Sequence, residues 1–245
     1  MSHVMVLTLA VILKVALTLA FIANQTDITR SSSAPSNEGS SDSVAGGQKP
    51  KGHEQQRDHA TGEVAVRRPP PLVIRGGDPA LRAFMRTLTV VESNSARPYH
   101  LVYGGSHVDG LSRHPNRCVP IRAGALNGQC TTAAGRYQML HRTWQMVAAK
   151  YHPDRNERAL NQGFRFEPVY QDGVVYRWLE EKSYWGCDVS RRLRSQGLMG
   201  AIQRCPRLKR VWPSLPGGDQ ENSFTRKTPE IFEILLAEEK SGNTG

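Results

Sequence analysis

Between residues 78 and 92, Leu81, Phe84, Met85, Leu88 and Val91 form an apolar series. They lie three or four residues apart, which predicts a helix with one apolar face. Asp78 stands at the capping position and Pro79 at the first helical one. Glu92 closes the run next to Val91, and Ser93-Asn94-Ser95 with Pro98 ends it. Tyr99–Tyr103 and Val108–Ile121 then predict short strands around Gly104-Gly105, with turns at Asp109-Gly110 and His114-Pro115. Helical spacing returns over Gln138–Tyr151, with Leu140, Trp144, Val147 and Tyr151 on one side. Further helices are expected over Pro168–Lys182 and Gly197–Arg204. A last one covers Ile231–Glu239, with Thr228 as its cap and Pro229 first inside it. The pattern is that of an α+β fold, a mostly helical domain with a small β-region after the first helix.

Upstream the pattern changes. Val4–Ala23 is broken only by Thr8, Lys14 and Thr18. As a helix rising ~1.5 Å per residue it matches a bilayer core of ~30 Å. Lys14 would cost roughly 2.5–3.5 kcal/mol on an insertion scale, which the surrounding Val, Ile, Leu and Phe offset. The segment reads as a signal anchor, with a cleaved signal peptide as the rival. Against cleavage after Ala23, Phe21 would occupy the third position back, where a small residue is wanted. Thr26–Pro71 follows, without an aromatic residue or a Leu and ending in Pro69-Pro70-Pro71. Such a stretch cannot bury enough apolar surface to offset chain entropy and reads as a disordered linker. The expected organisation is therefore an export segment over 1–25, a linker over 26–71 and a folded domain over 72–245. Export places the domain in the periplasm, tethered to the inner membrane, or secretes it if the segment is cleaved.

Charge sharpens this division. The chain carries 32 Lys+Arg and 22 Asp+Glu, a net charge of +10. Residues 1–71 hold 7 and 6 of these, so the remaining 25 and 16 place +9 on the folded part. A basic disordered tail is excluded as the source, and an acidic polymer is expected as partner. A nucleic acid is the less favoured polymer, because no motif interleaves stacking aromatics with the basic residues. Cys118, Cys130, Cys187 and Cys205 all lie in the folded part and form no CxxC pair. In an exported chain an even count reads as two disulfides. Three pairings are possible, and proximity favours Cys118–Cys130 with Cys187–Cys205. Neither the cysteines nor His100, His107 and His114, spaced by seven on strands and turns, suggest a metal site, and no cofactor is expected.

A carboxylate against an apolar helix end suits a general acid, because desolvation keeps its proton on near neutral pH. Glu92 meets that description, and Asp109 in the β-region is the best rival second carboxylate. Motifs bear on the choice. Ala83-Phe84-Met85 through Val91-Glu92-Ser93 resembles the helix that ends in the catalytic Glu of the lambda endolysin family, lytic transglycosylases with a lysozyme-like fold. Tyr99 to Gly104-Gly105 and His114-Pro115 are similar to that family's β-region, and Thr131 to Gln138 to its Thr-x-Ala-Gly-Arg-Tyr-Gln segment. Ile202-x-x-Cys205 and Trp212-x-Ser214-Leu215-Pro216-Gly217 resemble its final core segment. The order is kept from about Ala83 to Gln220. The Cys205–Trp212 interval is wider than the family's, and of its Tyr-Gln pair after the Gly-Gly turn only Gln220 has a counterpart.

The resemblance implies that Glu92 protonates the oxygen between N-acetylmuramic acid and N-acetylglucosamine and then takes the proton of the muramic 6-hydroxyl. A 1,6-anhydro ring closes without water. It further implies that Gln138 and Tyr137 line the cleft, with Arg136, Ser93, Tyr99 and Gln220 as further substrate contacts. Trp144, Trp178 and Trp212 read as core. The rival functions are a hydrolytic muramidase using Glu92 with Asp109 and a non-catalytic peptidoglycan-binding module. A monomer is expected.

Overall fold

The computed structural model describes residues 66–242 apart from 123 and 125. The export segment and the linker up to residue 65 lie outside the described residues. Among the described residues no helix is long and apolar enough to cross a membrane.

Helix α1, Pro79–Glu92, begins as the sequence predicts: the Asp78 carboxylate accepts from the N–H groups of Ala80 and Leu81 at 2.8 and 3.3 Å. Its surroundings differ from the prediction of one apolar face. Every residue from Ala80 to Val91 is buried, the polar ones included. The face bearing Arg82 and Arg86 is covered by the C-terminal helix α8, Thr228–Ser241, against which α1 packs most extensively. Glu239 of α8 pairs with Arg82 at 2.5 Å and Arg86 at 3.1 Å, and Glu238 with Arg86 at 2.8 Å. Thr87 and Thr89 satisfy their hydroxyls on the carbonyls of Ala83 and Met85, one turn back. A central helix is thus built from an apolar stripe and a polar stripe that is internally paired.

The β-region is smaller than predicted. Strand β1 is Val119–Pro120 and β2 is Cys130–Thr131, antiparallel with Val119 opposite Thr131. Tyr99–Tyr103 contributes only bridges, Leu101 to His107 and Val102 to Ala134. Pro98–His100 is instead one 3₁₀ turn. Between residues 104 and 117 the chain carries three glycines and Pro115, and Asn116 takes φ 47°, so no ladder can propagate. The Cys118–Cys130 disulfide crosses the hairpin base at a Cα–Cα distance of 5.4 Å.

Helix α2, His141–Tyr151, starts three residues later than predicted. Gln138 has φ 44° and Leu140 is extended, so neither can belong to a right-handed helix. The short α3, Glu157–Gln162, capped by Asn156, was not foreseen. Helix α4, Pro168–Glu180, stops before Lys182, and a single turn α5, Lys182–Trp185, follows. Helix α6, Val189–Arg204, begins well before the predicted Gly197, which is its break point, with φ 64° and ψ −171°. A straight helix of that length would run ~24 Å at ~1.5 Å per residue. The flanking Cys187 and Cys205 are disulfide-bonded with Cα atoms 5.7 Å apart, so the chain doubles back at Gly197. Both disulfides therefore follow the nearest-neighbour pairing. A short α7, Arg207–Val211, leads to the loop before α8.

The core gathers all four tryptophans at 1 % exposure or less. Trp178, Trp185 and Trp212 form a triangle with ring centroids 4.9–5.8 Å apart, and Phe84 of α1 meets Trp212 edge-on at 6.1 Å. The expectation of a core role for Trp144, Trp178 and Trp212 agrees with this.

The last residues assigned to the linker are packed on the domain. Arg86 donates to the Pro69 carbonyl at 3.3 Å, and Arg136 to those of Pro70 and Pro71 at 2.6 and 3.0 Å. Arg68 pairs with Glu238 at 2.6 Å. A triple-proline run presents carbonyls and no N–H groups, which suits a segment whose neighbours are guanidinium donors.

Candidate active site

Glu92 is the last residue of α1. The residue is partly buried, but its Oε1 is shut off from solvent and has no hydrogen-bond partner among the described residues. Burial pushes its carboxyl up to about 8, against a smaller lowering by a hydrogen bond with the Ser214 side chain. Such a group holds its proton at neutral pH and can deliver it to an oxygen brought alongside. Ser214 comes from the loop after α7. The same loop region sends Asn222, whose Nδ2 donates to the Val91 carbonyl at 2.9 Å.

The helix end is held from the other side by the segment Ala133–Gln138. The Ser93 hydroxyl donates to the Arg136 carbonyl at 2.7 Å. The Arg136 guanidinium donates to Thr89 Oγ1 at 2.7 Å and Tyr99 Oη at 2.6 Å, besides the two proline carbonyls. Tyr99 and Tyr137 in turn donate to the two oxygens of Asp172 at 2.7 and 2.6 Å, and Val73 N–H adds a third bond at 2.8 Å. Burial holds Asp172 above the usual carboxylate range despite the opposing Arg136 charge and these bonds.

This network involves Arg136, Tyr137, Tyr99 and Ser93, for which the resemblance implies substrate contacts. All four are buried, Arg136 to 0 %, and their polar atoms are spent on one another, on Asp172 and on main-chain carbonyls. Through the Ser93 and Thr89 bonds they tie the Ala133–Gln138 segment to the end of α1. Gln138 is only half-buried and donates its amide to the Gly135 carbonyl at 3.0 Å. Gln220 is exposed, its N–H on the Pro213 carbonyl at 3.0 Å, in the loop that supplies Ser214. Asp109 is fully exposed and pairs with Arg97 at 3.5 Å.

The histidines of the seven-residue series go separate ways. His100 Nδ1 lies 2.8 Å from the Val108 carbonyl, His107 Nε2 2.9 Å from the Ser95 hydroxyl, and His114 Nε2 2.8 Å from the Met139 carbonyl. Among the described residues no group of three His, Cys, Asp or Glu could hold a metal ion.

Sequence reasoning missed Ser214, Asn222, Thr89 and Asp172. Ser214 stood in a quoted motif but had no role. Asp172 carried a readable signal: it shares the spacing of Val175 and Leu179, an acid on an apolar stripe.

No curated protein matches the chain. Among solved structures, bacteriophage lambda lysozyme complexed with a chitohexasaccharide is 23% identical, over 69% of this chain and 97% of that one, with a TM-score of 0.44. Lysozyme from bacteriophage lambda is likewise 23% identical, over 69% and 96%, with a TM-score of 0.43. The Endolysin family model matches residues 82–236, from the first turn of α1 into α8 and well over half of the sequence, and the chain belongs to the Endolysin family.

Proposed function

We propose that the protein is a peptidoglycan lytic transglycosylase with Glu92 as acid and then base. The observation that carries the reading is a carboxyl at the end of α1 whose burial favours its protonated form, with the rival carboxylate Asp109 out in solvent. Glu92 gives its proton to the glycosidic oxygen of the N-acetylglucosamine leaving group, and the bond from that oxygen to muramic C1 breaks. The substrate's 2-acetamido oxygen stabilises C1. The muramic 6-hydroxyl then closes on C1 and returns its proton to Glu92, so the enzyme is regenerated and no water enters. A hydrolase with two catalytic carboxylates would need a second one across the bond. The reading includes export by residues 4–23 and a periplasmic or secreted site of action.

Mass spectrometry of digested sacculi tests this. Wild type should release products ending in 1,6-anhydromuramic acid, and Glu92→Gln should release none. Reducing muramic ends would instead identify a muramidase, and lytic activity equal to wild type in Glu92→Gln would remove Glu92 from its role.

A further inference from the structure

From Val189 to Val211 the chain carries Arg191, Arg192, Arg194, Arg204, Arg207, Lys209 and Arg210, and no Asp or Glu. The reversal at Gly197 and the Cys187–Cys205 bond bring Arg191 and Arg192 on the outgoing arm to the same end of α6 as Arg204 and Arg207 on the return. Arg194 is neutralised by Asp78, and Arg207 is held by the Tyr184 carbonyl with its guanidinium over that ring. Arg191, Arg192, Arg204, Lys209 and Arg210 have no carboxylate within salt-bridge distance among the described residues. Like charges gathered this way repel; Asp188, already paired with Lys182, offsets Arg191 only in part, and the net positive field favours an anionic partner.

The ridge leads to the candidate active site. Helix α7 runs directly into the loop that carries Ser214, the hydrogen-bond partner of Glu92. The Lys209 ammonium lies over Gly217 of that loop, 3.6 Å from where a side-chain carbon would begin.

We propose that this ridge binds the carboxylates of the peptide stems on the glycan strand and so draws the strand toward Glu92. The inference rests on the peptidoglycan reading above. Guanidinium forks match carboxylates in a bidentate manner, and stems recur along the strand as the cations recur along the ridge. A flexible strand can follow the ridge into the loop, whereas a flat lipid surface would meet the ridge and not the loop beyond it. The Cys187–Cys205 bond then has a binding role, since it sets the spacing of the two arms.

The test is binding of the full chain at low salt to intact sacculi and to the same glycan stripped of peptide by an amidase, each fixed covalently to beads, and to vesicles of anionic phospholipid. Protein carrying Glu92→Gln is used so that the polymer survives. The comparison is the same protein with Arg191→Gln, Arg204→Gln and Arg210→Gln, its fold checked by circular dichroism and melting temperature. Three exposed contacts should weaken binding to intact sacculi by roughly tenfold, an effect that salt erases. Peptide stripping should weaken the protein with the intact ridge to a similar degree and leave the triple variant unchanged. Equal binding of the two proteins to intact sacculi, indifference to stripping, or a loss confined to vesicles would each overturn the proposal. Residual cleavage by Glu92→Gln would count against the catalytic reading alone, because retention on stripped and intact polymer is scored separately.

Discussion

Replacing Glu92 by Gln keeps the shape of the side chain and removes its ionisation. The folded protein holds this carboxyl at about 8, against 4.5 for an ordinary Glu. The unfolded chain therefore loses the proton first. Stability from this site is intact below pH 4.5 and falls as pH rises, until the folded group also ionises near pH 8. The slope is ~1.4 kcal/mol per pH unit, which gives about 3 kcal/mol at pH 7 and roughly 5 kcal/mol above pH 8. Glu92→Gln has no such slope. Its stability relative to wild type should rise by about 3 kcal/mol between pH 4.5 and pH 7, a large share of a typical ~5–15 kcal/mol total. Urea unfolding at pH 4.5, 6, 7 and 8.5 measures this, and the variant should be the more stable protein at the three upper values. Parallel pH profiles for the two proteins would refute the account of Glu92 as a desolvated acid. The expected trade is of activity for stability, as in other strained sites.

Glycan cleavage by wild type should be retained up to pH 7 and lost as pH rises through about 8, where Glu92 gives up its proton, followed as the pH profile of sacculus clearing. Asp109→Asn should leave the clearing rate within about twofold, because an exposed carboxylate contributes little; a loss of a hundredfold would revive the two-carboxylate hydrolase. Arg136→Leu removes the buried charge facing Asp172 and leaves Thr89, Tyr99 and two proline carbonyls without their donor, and should cost about 3–5 kcal/mol, read as a fall in urea midpoint with unchanged m-value. Replacing both Cys118 and Cys130 by Ser opens a loop of 12 residues and should cost about 2–3 kcal/mol, seen by calorimetry.

What could be read from sequence was what repeats or caps. Asp78-Pro79 and the spacing from Leu81 to Val91 are local signals, and the helix they predict is present to its last residue. The nearest-neighbour disulfides are local too. What could not be read was set by distant partners. Nothing near Arg86 in sequence announces Glu239, so a buried charged face looked like solvent. Arg136-Tyr137 looked like a cleft wall because its partner Asp172 lies 35 residues on. Strand propensity from Val108 to Ile121 survives only at Val119–Pro120, because Gly110 weakens a ladder and Pro115 removes a donor from it. Glu92 could be singled out because its place at the end of an apolar helix is a local signal, whereas Ser214 and Asn222 arrive from a loop over a hundred residues later.

The proline carbonyls on Arg86 and Arg136 also settle where load enters the domain. A pull along the chain from the N-terminal side meets the exposed Arg68–Glu238 pair and then two buried guanidiniums, one on α1 and one bonded to Thr89 of α1. The element that bears that tension is the one that ends in Glu92. Force on the connector and geometry at the acid are thereby mechanically in series, with no compliant surface loop between them.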